Sequence, residues 1–197
     1  MVDFPLEDDF APTAETLSTT ELWRGAIFGL NEDRVQMAPG EPALRRQYLS
    51  HGGAVAVVPL RAGERGPEVL VIRQYRAAVK ANLWEIPAGL LDHPGEDPLA
   101  AAARELREEV QLRADRWEPL METFASPGST SELLRFYLAQ DLHQDEDASF
   151  VLEGEEAHLL RRWVPLDVLL DGVLSGRLHS PTLALGIFAA ARRDTPI

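Results

Sequence analysis

The chain contains no cysteine among its 197 residues. Disulfides, thiolate nucleophiles and zinc–thiolate sites are therefore excluded. No apolar run approaches the roughly 20 residues that a helix needs to cross a bilayer. The opening stretch, MVDFPLEDDFAPTAETLSTTE, is acidic and lacks the basic segment followed by an apolar one that marks a secretory signal. Cytoplasmic placement is the expectation. Positive charge is also short: 19 Lys and Arg stand against 32 Asp and Glu, a net charge of −13. Such a surface repels nucleic acid and anionic membranes, so neither is expected as a partner. A substrate that carries phosphates would need local arginines and metal ions to reverse the sign at its site. The chain also has no internal repeat and no low-complexity tract, and its length fits one domain with a small extension.

Three regions follow from the pattern. Residues 1–20, acidic and interrupted by Pro5 and Pro12, read as a flexible leader. Residues 21–50 read as a small N-terminal subdomain of antiparallel strands. There, 22–30 pairs with 34–38, and 43–50 follows the turn chemistry of Pro39-Gly40-Glu41-Pro42. Residues 51–197 form the main domain. Its GAVAVVPL run (53–60) is apolar almost throughout, as expected of a central strand buried on both faces. Further strands are expected at 68–76, 83–89, 118–126, 133–142 and 159–166. Helices are expected from the Asp97 cap with Pro98 in the first turn, over 165–176, and over 180–193 with Ser180 as cap. The mixture implies an α+β layered domain.

The segment 89–112, GLLDHPGEDPLAAAARELREEVQL, carries the chemistry. A glycine-containing loop runs into a helix bearing Arg104, Glu105, Glu108 and Glu109. The three carboxylates, at relative positions 0, +3 and +4, share one side of that helix. Like charges at these spacings repel by roughly 0.2–0.5 kcal/mol per pair. A divalent cation would offset the repulsion, and hard cations such as Mg2+ take oxygen ligands. Leu99, Ala102, Ala103, Leu106 and Val110 form the expected core stripe, with Glu105 and Glu109 well away from it. The histidines, His51, His93 and His158 among them, make no metal-ligand spacing and read as structural.

These residues resemble the Nudix box, G-x5-E-x7-R-E-U-x-E-E-x-G-U with U a bulky apolar residue. From Glu96 the spacing agrees through Arg104, Glu105, Leu106, Glu108, Glu109 and Val110. Two positions depart from the pattern. Six residues, not five, separate Gly89 from Glu96, and Gln111 stands where the pattern has its last glycine, the residue that most easily closes a helix in a left-handed conformation. RGAIFGL (24–30), QYR (74–76), LWEIPAGLLD (83–92) and SPGSTSE (126–132) resemble the ADP-ribose pyrophosphatase branch of that family, and Pro127 lies fifteen positions after Leu112, where that branch carries a proline.

The resemblance implies a Nudix fold, an α/β/α sandwich around a mixed sheet, with a small N-terminal antiparallel strand extension. It implies Mg2+-dependent hydrolysis of ADP-ribose to AMP and ribose 5-phosphate, with Mn2+ as a substitute ion, by a homodimer whose N-terminal strands pack onto the partner. Alternatives are another nucleoside diphosphate derivative, such as a sugar nucleotide or NADH, and a module that binds ADP-ribose without cleaving it. The implied metal ligands are Glu105, Glu108, Glu109 and the Ala88 carbonyl, with Glu96 as a secondary ligand. Gly89 and Arg104 are structural and orienting. The general base of this branch lies on a later loop, here EGEEAHL (153–159), with Glu156 first, then Glu155 and Glu153. Arg76 is the expected phosphate contact, Gly128 and Glu132 face the substrate, and Tyr48 or Phe28 stacks on the base.

Overall fold

The structure, a computed structural model, describes residues 6–10, 13–93, 95–145 and 159–193. These fall into two compact units: one of the residues up to His51 together with Ser126–Ser131, the other of Gly52–Ala125 and the residues from Glu132 onward.

In the first unit β1 (Glu15–Arg24), β2 (Phe28–Gln36) and β3 (Leu44–His51) form an antiparallel meander in that order. The 126–131 loop is tied to β3 by the Leu49 amide on the Ser129 carbonyl, 2.9 Å, and the Ser131 amide on the Leu49 carbonyl, 3.0 Å. The run 22–30, expected as one strand, turns at its middle. The Gly25 amide donates to the Phe28 carbonyl at 2.9 Å, so the run supplies the end of β1 and the start of β2. β1 begins at Glu15, within the stretch read as leader. All ten of its residues are exposed, so the strand leaves no alternating apolar signature. Its threonines, Thr16, Thr19 and Thr20, suit the extended backbone, and β2 supplies the ladder that holds it.

The second unit contains β4 (Ala54–Gly63), β5 (Gly66–Arg76), β6 (Ala81–Glu85), β7 (Ala88–Leu90), α1 (Pro98–Val110), β8 (Leu112–Phe124), β9 (Leu133–Gln144), β10 (Leu160–Pro165), α2 (Leu166–Leu174) and α3 (Pro181–Arg193). The sheet runs β10-β5-β4-β9-β8. β4 and β9 are parallel and the other pairs antiparallel, which makes the sheet mixed as expected. β4 pairs with β5 only over Leu60–Gly63, and beyond that the two strands part. Residues 81–90 enter the gap. β6 pairs along the far end of β5, β7 pairs with Ala54–Ala56 of β4, and the Val57 amide reaches the Pro87 carbonyl at 2.8 Å. This wedge carries the first residues of the box.

Alternation along β4 divides the core. Val55 and Val57 face α1, where they meet Leu70, Ile72, Ala101, Ala102, Leu106 and Val110. Ala56, Val58 and Leu60 face the other way, toward Phe136, Leu169, Leu183 and Ile187. Helices on both faces of one sheet give three layers. α1 begins as expected, with the Asp97 carboxylate accepting from the Leu99 and Ala100 amides at 3.1 and 3.2 Å. It ends at Gln111, which adopts φ 57° and ψ 36° without being glycine. That conformation carries a steric cost of about 1–2 kcal/mol.

The buried face of α1 differs from the stripe drawn on the sequence. Ala101, Ala102, Leu106 and Val110 are buried, but so are Glu105 and Glu109, while Leu99 is exposed. The helix is rotated so that two carboxylates point inward, because the neighbouring wedge offers them backbone rather than apolar side chains.

On the opposite face α3 approaches the sheet through Gly186, where an added Cβ would lie 2.8 Å from Ile86 Cδ1 and 2.9 Å from Val58 Cγ2. Gly186→Val is expected to destabilise the fold by about 1–3 kcal/mol through overpacking. Urea unfolding measures it, and an unchanged midpoint would show that α3 does not pack this closely.

Candidate active site

The wedge sets Ala88 and Gly89 beside the inward face of α1. A Cβ on Gly89 would overlap the Glu105 carboxyl group, so any other residue there would displace that carboxyl. One turn later Glu109 accepts the Ala88 amide at 3.0 Å through Oε2. Both glutamates are buried. Burial pushes the Glu105 carboxyl above its usual range, with Glu108 and Asp92 adding to the rise and Arg104 opposing it.

Arg104 lies at the centre of the acidic group. Its Nη1 donates to Glu105 Oε1 at 2.6 Å and to Glu108 Oε2 at 3.0 Å. Its Nε and Nη2 grip the two Glu96 oxygens at 3.2 and 3.1 Å. The hydrogen bonds from Arg104 hold the Glu96 carboxyl below its usual range, and the same partners push the Arg104 guanidinium up. The six-residue loop therefore still delivers Glu96 to the helix despite its extra residue. Among the described residues, no three acidic or histidine side chains are gathered as a ready metal cluster. Glu96, Glu105 and Glu108 each pair with Arg104, and Glu109 accepts the Ala88 amide.

Arg76, expected to meet phosphate, forms a fork with Glu85, Nε to Oε1 at 2.9 Å and Nη2 to Oε2 at 2.7 Å. Glu85 went unnoticed as a site residue in the sequence. The available signal was a carboxylate inside the apolar LWEIPAG strand, where it is 4% exposed. Tyr48 and Gly128 line one 440 Å³ hollow of the first unit with Arg46, Pro127, Thr130 and Ser131. Phe28 is not among the residues lining that hollow; its ring packs against Trp23, centroids 5.8 Å apart. Glu132 belongs to the second unit, where its carbonyl accepts the Ala125 amide at 3.0 Å. Glu153, Glu155 and Glu156 lie outside the described residues.

The family model of the NUDIX domain matches residues 50–182. The chain belongs to the Nudix family. An ADP-ribose pyrophosphatase of Mycobacterium tuberculosis is 39% identical over 93% of this chain and 84% of its own length. A methanol dehydrogenase activator of Bacillus methanolicus is 30% identical over 88% of this chain and 90% of its own. A crystal structure of an ADP compounds hydrolase superposes with a TM-score of 0.73 at 22% identity, covering 94% of this chain and 96% of that one. That likeness shows the Nudix fold.

The Nudix residues fit a hard divalent cation on two observations. The glycine cradle brings a partly desolvated carboxylate against backbone, and every side-chain donor in the group is a carboxylate oxygen. A cation would compete with Arg104 for Glu105 and Glu108. Removing the guanidinium in Arg104→Met leaves three carboxylates to repel one another. In metal-free buffer the variant is expected to lose about 1–3 kcal/mol of stability. Millimolar Mg2+ should restore more of its melting temperature than it adds to the wild type. Equal responses in a thermal-shift titration would show that Arg104 and the cation do not share these ligands.

Proposed function

We propose that this Nudix protein hydrolyses the pyrophosphate of ADP-ribose to AMP and ribose 5-phosphate with Mg2+. The observation that carries the reading is the packing of Glu105 on Gly89 and Glu109 on the Ala88 amide, which presents the box carboxylates at one backbone edge. The mycobacterial relative's name supports ADP-ribose as the substrate to test first.

Glu105, Glu108 and Glu109, with the Ala88 carbonyl and Glu96 behind them, would hold the cation, which when bound neutralises phosphoryl oxygens and acidifies water. Arg104 orients these glutamates. Glu85 fixes Arg76, whose guanidinium is the candidate diphosphate contact, with Gly128 and Glu132 as further substrate contacts. A glutamate of the 153–156 segment, Glu156 first, takes the proton of the attacking water. The new bond joins that water's oxygen to phosphorus. The bond from that phosphorus to the bridging oxygen breaks, and the bridging oxygen leaves with the other product. Tyr48, in the hollow with Gly128, is the candidate stacking partner for adenine.

The test is product analysis on a panel of ADP-ribose, GDP-mannose and NADH with Mg2+. ADP-ribose should be preferred. Glu109→Gln should abolish most turnover, and Glu156→Gln should lower kcat about 10²–10⁴-fold with little change in KM, as loss of a general base does. Preference for another diphosphate, or full activity in Glu109→Gln, would overturn the reading.

A homodimer is part of the same proposal. Register places Trp23 beside Leu30 and Leu30 beside Leu49 on one sheet face of the first unit, with Trp23 54% and Leu49 37% exposed. Open apolar faces of this kind mark association sites. Wild-type protein should sediment as a dimer and Trp23→Asp as a monomer. A monomeric wild type refutes the dimer.

A further inference from the structure

Arg46 and Tyr48 stand two residues apart on β3, so strand alternation turns both side chains to one face of the first unit's sheet. With Gly128 and Ser131 of the 126–131 loop they line the 440 Å³ hollow, and none of the described residues lining it is a carboxylate. That volume suits one ligand the size of a nucleotide. Arg24 and Arg45 of the same unit each pair with a glutamate, Glu21 and Glu32. Among the described residues Arg46 forms no ion pair, and its Nη1 donates to the Arg45 carbonyl at 3.0 Å. Asp33 lies across the ladder from Arg46, yet its carboxylate accepts the Tyr48 hydroxyl at 3.4 Å. Neutral donors line the hollow with Arg46. The Gly128 amide has no partner among the described residues, and a Cβ there would meet nothing within 4 Å, so its backbone is open. The Ser131 hydroxyl accepts the His51 amide at 3.0 Å and keeps its own proton to give. A guanidinium without a carboxylate, flanked by such donors, suits a phosphate group.

We infer that this hollow binds an adenosine phosphorylated on its ribose, with Tyr48 stacking on the base and Arg46 taking the 2′-phosphate. The inference rests on the reading above in which Tyr48 stacks on adenine. That reading gives the diphosphate to the box glutamates and Arg76, and it leaves Arg46 without a task. Two residues along a strand span about 6.6–6.8 Å. That reach suits a phosphate on the ribose carbon next to the one that bears the base. Dinucleotide sites likewise use an arginine to accommodate a 2′-phosphate. The substrate class is thereby widened to ADP-ribose bearing a 2′-phosphate.

The experiment is calorimetric titration in metal-free buffer, so that no cation draws nucleotide phosphates to the box glutamates. Adenosine 2′-monophosphate, adenosine 5′-monophosphate and inorganic phosphate are titrated into wild type, Arg46→Gln and Tyr48→Leu. Wild type is expected to bind the 2′-monophosphate about tenfold more tightly than the 5′-monophosphate, the scale of a charge-assisted contact. Arg46→Gln should erase that preference. Tyr48→Leu should weaken both nucleotides by a similar factor and keep it. Equal affinities in wild type, or a preference that survives Arg46→Gln, overturns the proposal. Inorganic phosphate binding as tightly as the 2′-monophosphate assigns the hollow to free phosphate and also overturns it. Hydrolysis is scored separately. A 2′-phosphate preference in a protein that cleaves no diphosphate supports the hollow and refutes the pyrophosphohydrolase reading. Cleavage of ADP-ribose without that preference does the reverse.

Discussion

Glu105 lies against the backbone of Gly89, where a β-carbon would displace its carboxyl, and the candidate site is arranged around that contact. It requires a strand segment inserted between β4 and β5, which brings the Ala88 and Gly89 backbone to the inner face of α1. It also requires a buried carboxylate, which is unfavourable when charged. Arg104 offsets part of that penalty, and its ion pairs in turn organise Glu96 and Glu108. One close approach therefore accounts for the glycine, the arginine and the rise in the Glu105 carboxyl together.

The charge near the site is lopsided even with its arginines counted. Arg76 and Arg104 both grip carboxylates, and the five glutamates Glu85, Glu96, Glu105, Glu108 and Glu109 outnumber them. The chain's net charge of −13 has the same sign. A diphosphate approaching this edge is repelled unless cations arrive with it or before it. The acidity that argued against nucleic acid in the sequence is thus consistent with chemistry that depends on metal ions.

Much of this was legible in the sequence where one residue type has one physical use. Asp97 followed by Pro98 marked the start of α1, and the apolar 53–60 run marked a strand covered on both faces, because caps and double burial leave local signatures. The box spacing put Glu105 and Glu109 on one side of a helix, but spacing does not say what that side meets. Their inward orientation became visible only with the wedge in place. The pairing of Arg76 with Glu85 was not legible, because the two are nine residues apart and meet across a strand pair. β1 was missed for the opposite reason: a strand with both faces open carries no periodicity, and its ladder is supplied by β2. The contacts of the Gln111 cap were not legible because its partners, Asp145 and Arg161, are distant in sequence.

The parallel pairing of β4 with β9 sets Ala54 beside Leu134, across most of the second unit. Closing so long a stretch of chain must precede the contacts that reward it, which slows the search for the native topology. α1 can form early from its own local signals, but β9 must find β4 before the central sheet is complete. Newly made chains would then expose the apolar β4 strand for longer than the helix, and that strand is where nascent molecules would be most prone to stick to one another.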